Sequence, residues 1–136
     1  MKVAFATEDG VHVDAHFGWA KKIAIFDIDP EMCSLAANVE FEGNLAEDGN
    51  EDKLGPKLEA IKDCAILYVA AIGGSGAARV VAKNIHPVKV AETAKIADLL
   101  QQLQKVLGGN PPPWLRKALN KGRVREMDFE DEVIYG

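Results

Sequence analysis

Two of the three histidines in this chain stand four residues apart in the stretch GVHVDAHFGWA, with an aspartate between them. Imidazole and carboxylate groups are ligands of zinc and iron, so His12, Asp14 and His16 form a candidate metal-binding set. The surrounding valines and glycine do not favour a helix, and in an extended segment the three side chains would share one side. Such a set contains no thiolate and would be exposed and incomplete. From these residues alone, a ligand role for His16 and an ordinary solvated loop histidine both stay open.

A glycine-rich turn, AIGGSGAAR, is the second candidate site. It follows a predicted strand and begins a predicted helix, for which Ser75 is the expected N-cap. Amide groups from Gly73, Gly74, Ser75 and Gly76 would favour an anion at the helix N-terminus, with Arg79 as a nearby cation. The turn lacks the Lys-Ser/Thr pair of a P-loop, and Arg79 stands where the dinucleotide fingerprint has Gly or Ala. It is therefore either an anion cradle or only a tight strand-to-helix connection.

The composition indicates one globular protein without a general affinity for polyanions. The length of 136 residues, 48% of them hydrophobic, suits one core, and the net charge of −5 argues against non-specific binding to nucleic acid or anionic membranes. No apolar run approaches the ~20 residues that span a bilayer, and no secretory signal is visible, so we expect a cytoplasmic location. Cys33 and Cys64 are isolated in apolar runs and are expected to be buried, reduced thiols.

The first third of the chain predicts a β-meander that would carry the histidine stretch between its first two strands. Apolar runs predict strands at Lys2–Thr7 and Lys22–Ile28. Alternating apolar residues from Cys33 to Phe41, after a turn, predict a half-buried antiparallel partner. The acidic stretch from Glu42 to Asp52 contains Gly and Asn, which predicts a solvated loop.

Helices and strands alternate in the remainder of the domain. Helical spacing predicts a helix with its apolar face at Leu54, Leu58, Ile61 and Ala65. A buried strand follows at Ala65–Ala71, then the helix after the glycine-rich turn, and then a short strand in HPVKVAE. The last helix is expected to have Thr93 as its N-cap and to end at Gly108 and Gly109. The order β-β-β-α-β-α-β-α predicts an α/β fold, a mixed five-stranded sheet with flanking helices.

The character of the chain changes after residue 109. We therefore predict a domain at residues 1–109 and a C-terminal extension at residues 110–136 that contains a short helix. The sequence PPPWLRKALN favours an extended linker and then a helix start. The extension is basic before it turns acidic, with the cations Arg116, Lys117, Lys121, Arg123 and Arg125. We expect it to contribute little to the stability of the core.

The predicted sheet is of the ribonuclease H type, which raises the question of nuclease activity. Such metal-dependent catalysis needs several carboxylates at the centre of the sheet. The central positions of the first strand are Ala4-Phe5-Ala6, and the fourth strand ends Ala70-Ala71-Ile72. No serine- or cysteine-hydrolase motif is present in the sequence either. We therefore expect a protein that is not an enzyme.

Three stretches of the sequence are similar to one known family. The opening KVAFAT…VDAHFG, the turn GGSGAARVV and the tail NPPPWLRKAL resemble the dinitrogenase iron–molybdenum cofactor biosynthesis family, over nearly the whole chain. The resemblance implies a ribonuclease H-like fold without nuclease activity. It also implies a cytoplasmic carrier that transiently holds iron–sulfur precursors of the nitrogenase cofactor. The partners implied are nitrogenase cofactor assembly proteins, as cluster donor and scaffold.

The resemblance also singles out one residue of the candidate site. The histidine of the family's HFG motif takes part in cofactor binding, and the matching position here is His16, which would be the metal ligand. His12 matches no family requirement. Since the carboxyl ends of adjacent strands form the usual ligand crevice, we expect His16 to lie near the glycine-rich turn, residues 73–76, and Arg79. A weak site of this kind would hold an anionic cluster reversibly, unlike four thiolates.

Two other functions remain open at this point. One is a small-molecule or nucleotide-binding α/β protein that uses the glycine-rich turn, with Glu92 as a ribose-binding acid. The other is a protein-interaction module of nitrogenase assembly that binds no cluster and acts through the basic extension around Trp114.

Overall fold

In the computed structural model, which describes residues 1–41 and 54–119, five strands form one mixed sheet. The strands are β1 (Lys2–Thr7), β2 (Lys22–Ile28), β3 (Cys33–Glu40), β4 (Ile66–Val69) and β5 (His86–Lys89). Their order is β3-β2-β1-β4-β5; β1 pairs antiparallel with β2 and parallel with β4. The central strand β1 is covered on both faces, which explains why its sequence is an unbroken apolar run. The predicted α/β class and the five strands are confirmed.

Helices cover both faces of this sheet. They are α1 (Gly55–Ala60), α2 (Gly74–Ala82), α3 (Ile96–Gly108) and α4 (Pro113–Leu119). One core cluster joins α1 and α2 to the sheet face that carries Ala4 and Leu67; the other joins α3 and α4 to the face that carries Phe5 and Tyr68. The predicted order of elements is therefore confirmed. Among the described residues, no helix is long and apolar enough to cross a membrane.

Strand β3 departs from its predicted pattern because a β-bulge interrupts it. Ile25 pairs with Ala37, whereas Phe26 pairs with Leu35, so Ala36 is the extra residue. One inserted residue reverses which face the following side chains take. The predicted single apolar face is therefore divided, and Leu35 is 56% exposed. Cys33 lies at the outer end of this edge strand and is exposed, which corrects its predicted burial, while Cys64 is buried as expected.

Two predicted helix caps are wrong, for different reasons. Helix α2 begins at Gly74 with Gly73 as its N-cap, so Ser75 lies inside the first turn and does not cap it. Thr93 lies in a turn closed by the Ala94 amide on the Ala91 carbonyl. Lys95 then has extended backbone and is the N-cap of α3. The predicted end of α3 at Gly108 and Gly109 is confirmed.

The described part of the C-terminal extension packs against the domain. Leu115 of α4 is 2% exposed and belongs to the core cluster that contains α3. The Trp114 ring stacks on His86 of β5, with ring centres 4.2 Å apart. This packing opposes the expectation that the extension adds little stability, although the domain boundary at residue 109 stays a prediction. The predicted 42–52 loop and the basic residues Lys121, Arg123 and Arg125 lie outside the described residues.

Candidate functional site

The histidine stretch is held against the carboxyl end of β4 by backbone hydrogen bonds. The amide of Phe17 donates to the carbonyl of Ala71 at 2.9 Å, and the amide of Ala70 donates to the carbonyl of Ala15 at 3.1 Å. His16 therefore forms an isolated parallel bridge with Ala71, directly before the glycine-rich turn. Buried Phe17 anchors the short 3₁₀ helix that follows, Phe17–Trp19. These backbone hydrogen bonds place His16 beside the end of β4, as expected from the sequence.

The ring of His16 is oriented by the turn that it precedes. His16 is the N-cap of the 3₁₀ helix, and its Nδ1 accepts a hydrogen bond of 2.9 Å from the amide of Gly18. Since the backbone amide is the donor, Nδ1 carries a lone pair. In a neutral imidazole the proton then lies on Nε2. In this conformation His16 therefore presents an N–H donor, rather than a second lone pair, at Nε2.

Gly18 permits this close ring position. A Cβ at Gly18 would lie 3.3 Å from Cε1 and 3.4 Å from Nδ1 of His16, tighter than ordinary van der Waals contact. A side chain here would push the imidazole away by a few tenths of an ångström. The glycine of the HFG sequence therefore leaves space for the ring of the histidine that stands two residues before it.

His16 and the glycine-rich turn line one cleft of about 250 Å³. The residues around it are His16, Phe17, Gly18, Trp19, Leu54, Ile72, Gly73, Ser75 and Gly76. Of the predicted site residues, His16, Gly73, Ser75 and Gly76 are therefore brought together, whereas Gly74 and Arg79 do not line the cleft. None of the described lining residues is acidic, so the walls of the cleft add no negative charge.

The glycine-rich turn contributes the start of α2 to this cleft. The first intrahelical bond runs from the amide of Ala77 to the carbonyl of Gly73, at 2.9 Å. The preceding first-turn amides have no acceptor within the helix and favour a negative charge nearby. Gly76 is buried here, and a Cβ on it would lie 3.3 Å from Ile72 and 3.5 Å from Leu54. This glycine therefore lets two apolar walls of the cleft approach each other.

The predicted set of His12, Asp14 and His16 is not assembled into one site. The alternation itself is present, because Val13 and Ala15 are buried between the three. Each polar side chain nevertheless has a different partner: His12 Nδ1 lies 2.6 Å from Asp9, and Asp14 accepts from the amide of Glu8 at 2.7 Å. Across residues 1–41 and 54–119, no three His, Cys, Asp or Glu side chains are grouped for a metal ion.

The loop around His12 has its own charged centre, away from His16. Asp9 accepts hydrogen bonds from the amides of His12 and Val11, both at 2.7 Å. These bonds, the His12 amide first and the His12 ring next, hold the pKa of the Asp9 carboxyl well below its ordinary value. His12 therefore serves to organise its loop. It also bridges to Lys95, at the start of α3.

Sequence reasoning missed one residue beside the cleft, Lys57 of α1. Its side chain is 2% exposed, and Nζ donates a hydrogen bond of 2.8 Å to the carbonyl of Gly18. Nζ also lies 5.4 Å from the centre of the Phe41 ring. A signal was present in the sequence, because Lys57 stands three residues after Leu54 and four before Ile61, on the apolar side of the helix. A lysine at such a position is unusual unless it has a buried partner.

Comparison with known proteins gives a consistent family. Residues 1–106 match the family model described as dinitrogenase iron-molybdenum cofactor. The chain is 62% identical to protein NifX of Herbaspirillum seropedicae, over 98% of this chain and 91% of that protein. It is 42% identical to protein NifX of Azotobacter vinelandii, over 93% and 80%. The crystal structure of PH0822 is similar in fold, with a TM-score of 0.52, 18% identity and coverage of 84% and 98%.

Proposed function

This chain belongs to the dinitrogenase iron-molybdenum cofactor family, and from that premise we propose that it acts in the biosynthesis of this cofactor as a carrier of iron–sulfur precursors. The observation that carries the proposal is the cleft itself. It combines one imidazole, the amide-rich start of a helix and apolar walls, without an acidic side chain among the described lining residues. Such a lining suits a cargo that is metallic at its core and anionic overall.

We propose His16 as the residue that ligates a metal of the cargo. Its Nδ1 lone pair is occupied by the Gly18 amide, so ligation through Nδ1 must break that bond. Ligation through Nε2 requires the proton to move to Nδ1, where it would face the same amide. Either route releases Gly18 from His16, and the freed amide can then donate to a sulfur of the cluster. His16 therefore has no nitrogen available for a metal until it releases the Gly18 amide.

The start of α2 is the anionic half of the proposed site. Gly73, Ser75 and Gly76 line the cleft, and first-turn amides stabilise negative charge. Gly74 lies in the same turn, and a Cβ there would meet nothing within 4 Å, so the turn has room beside it. Arg79 does not line the cleft, so its part is limited to electrostatic attraction at longer range.

The proposed role is accessory rather than catalytic. A cofactor precursor is the cargo, and its partners are other nitrogenase cofactor assembly proteins, as cluster donor and scaffold, in the cytoplasm. The strand order β3-β2-β1-β4-β5 supports the ribonuclease H-like architecture that the sequence resemblance implies. We also propose that residues 1–109 carry the cleft and that residues 110–136 form an extension to it.

Anaerobic titration with an iron–sulfur cluster tests the proposal. Wild-type protein should retain the cluster, and its colour, through gel filtration. His16→Ala should lower the affinity at least about tenfold, or ~1.4 kcal/mol. It should change the free energy of unfolding by only about 1 kcal/mol, since one partly exposed hydrogen bond is lost. Circular dichroism confirms that the variant is folded.

His12→Ala is the matched control, because its ring pairs with Asp9 outside the cleft. It should leave the affinity for the cluster unchanged. Unchanged affinity in folded His16→Ala would remove His16 from the site, and equal losses in both variants would indicate a diffuse polar surface. Wild-type protein that binds a labelled nucleotide but no cluster would contradict the carrier role. Wild-type protein that binds neither would favour an interaction module.

A further inference from the structure

The unusual feature beside the cleft is a cation inside the protein. Lys57 is 2% exposed, and apart from Thr7 it is the only described polar or charged residue among those classed as buried. Removing an ammonium group from water costs several kcal/mol unless its partners compensate. The ammonium group therefore needs partners inside the protein, and the Gly18 carbonyl is one of them.

One partner of this cation is Gly18, whose amide is bonded to His16. The Gly18 carbonyl accepts from Lys57 Nζ at 2.8 Å, while the Gly18 amide donates to His16 Nδ1 at 2.9 Å. Gly18 is the middle residue of the 3₁₀ helix, so its carbonyl and its amide cannot turn independently of that helix. Holding the carbonyl therefore limits where the amide points. The amide in turn selects which nitrogen of His16 carries the proton.

The charge of Lys57 also lies directly behind the wall of the cleft. Gly18 lines the cleft, and Lys57 Nζ is within hydrogen-bond distance of its carbonyl. The Phe41 ring lies 5.4 Å from Nζ, in an arrangement that favours a cation. A positive charge in such surroundings is less screened than one at the surface. The charge of Lys57 would attract an anion into the cleft, although Lys57 itself does not line the cleft.

We propose that Lys57 is a positioning residue of this cleft. It holds the Gly18 carbonyl in place, and so fixes the tautomer of His16, and its positive charge offsets the negative charge of an anionic cargo. The hold on the carbonyl, or clamp, is a property of the free protein. The contribution to cargo binding rests on the proposed function. The two parts are therefore measured separately.

The experiment compares Lys57→Met with Lys62→Met in the full chain. Both variants lose one lysine. Lys62 follows the same helix, is 55% exposed and forms a surface ion pair with Glu59. Long-range proton–nitrogen NMR spectra of protein with isotope-labelled histidine report which ring nitrogen of His16 carries the proton; His16→Ala assigns its signals. Anaerobic titration with a synthetic iron–sulfur cubane cluster, a dianion, reports affinity. Lys57→Arg keeps a charged donor and tests for rescue.

Lys57→Met should still fold, with a Tm below that of wild type, because the Gly18 carbonyl loses its hydrogen-bond donor. Its His16 signals should change to a mixture of the two tautomers, because the Gly18 carbonyl is no longer held. Its affinity for the cubane should fall about tenfold because the positive charge behind the cleft is lost, which outweighs the weaker competition from the Gly18 amide. Lys62→Met should match wild type in both measurements, and Lys57→Arg should restore part of each.

The clamp is overturned if folded Lys57→Met keeps the wild-type His16 signals. The electrostatic part is overturned if its affinity is unchanged, or if Lys62→Met loses as much. If Lys57→Met and Lys57→Arg both fail to fold, the residue is structural and the whole proposal is wrong. If wild type does not bind the cubane, the proposed function fails, while the ring state of His16 still decides the clamp.

Discussion

Leu115→Ala tests how far the C-terminal extension belongs to the core. Leu115 is 2% exposed and packs in the cluster that contains α3 and one face of the sheet. Truncation of a fully buried leucine removes its transfer free energy and leaves a cavity, which together cost about 2–5 kcal/mol. The lower end applies here, because α4 is a short helix at the edge of the core and can shift to close the space. We therefore expect a loss of about 2–3 kcal/mol.

This loss has an upper bound that can be measured separately. Once α4 detaches from the sheet, further weakening of its contacts costs nothing, so the effect of Leu115→Ala cannot exceed the free energy of docking. A chain that ends at Gly109 measures that docking free energy. With an unfolding entropy of about 2.1 cal/mol/K per residue, a loss of 2–3 kcal/mol lowers Tm by roughly 7–10 °C. Urea unfolding gives the same quantity from the transition midpoint.

Lys117→Ala is the matched control, on an exposed position of the same helix. It should change the free energy of unfolding by no more than about 0.5 kcal/mol. If Leu115→Ala and the truncated chain both unfold within that margin of wild type, α4 is not docked in solution. The prediction from sequence, that the extension adds little stability, would then be correct.

Two further predictions concern titratable groups. Cys33 should react with a thiol reagent in the folded protein more slowly than a free thiol. Desolvation of the thiol, and to a smaller extent the nearby Asp27 charge, raises the pKa of Cys33 and lowers its thiolate fraction. Cys64 is 1% exposed and should react only on unfolding, so equal rates for the two cysteines in the folded protein would contradict this prediction. Asp9→Asn should lower Tm at neutral pH, because hydrogen bonds from His12 hold the pKa of Asp9 below its ordinary value. A carboxyl whose pKa is lowered by folding stabilises the protein at pH values above its pKa in the unfolded chain, which is about 4, and this stabilisation is lost as the pH falls further. The difference in Tm between wild type and Asp9→Asn should therefore shrink below pH 4. A difference that stays constant with pH would refute the prediction.

The sheet was predictable because its signals are local and strong. The buried run of β1, the helix that ends at Gly108 and the alternation of strands with helices are all present in short windows of sequence. The bulge at Ala36 was not predictable, since no Gly or Pro marks it and only the pairing with β2 reveals it. The N-cap of α3 depends in the same way on a distant contact, the bridge between His12 and Lys95.

The sequence allowed us to predict which residues of the candidate site lie close together, but not the hydrogen-bond partners of their side chains. The proximity of His16 to the glycine-rich turn follows from strand order, because both follow strands that lie side by side and parallel. The partners of His12 and Asp14 did not follow from their alternation, since each finds a nearby loop group first. The spacing of Lys57 from Leu54 and Ile61 indicates that it is buried, but its partner Gly18 lies 39 residues away in the sequence and does not follow from that spacing.

If the proposed carrier function is correct, the hydrogen bond between Gly18 and His16 would make the binding of cargo weaker. If His16 must release this amide to become a ligand, the net free energy of the bond, about 1 kcal/mol, is subtracted from the affinity. That corresponds to a roughly fivefold weaker site than one with a free imidazole. The same bond re-forms when the cargo leaves, and so favours release. A carrier has to pass its cargo to the next protein. A histidine whose nitrogen is already occupied therefore suits transient binding better than a ligand that waits unpaired.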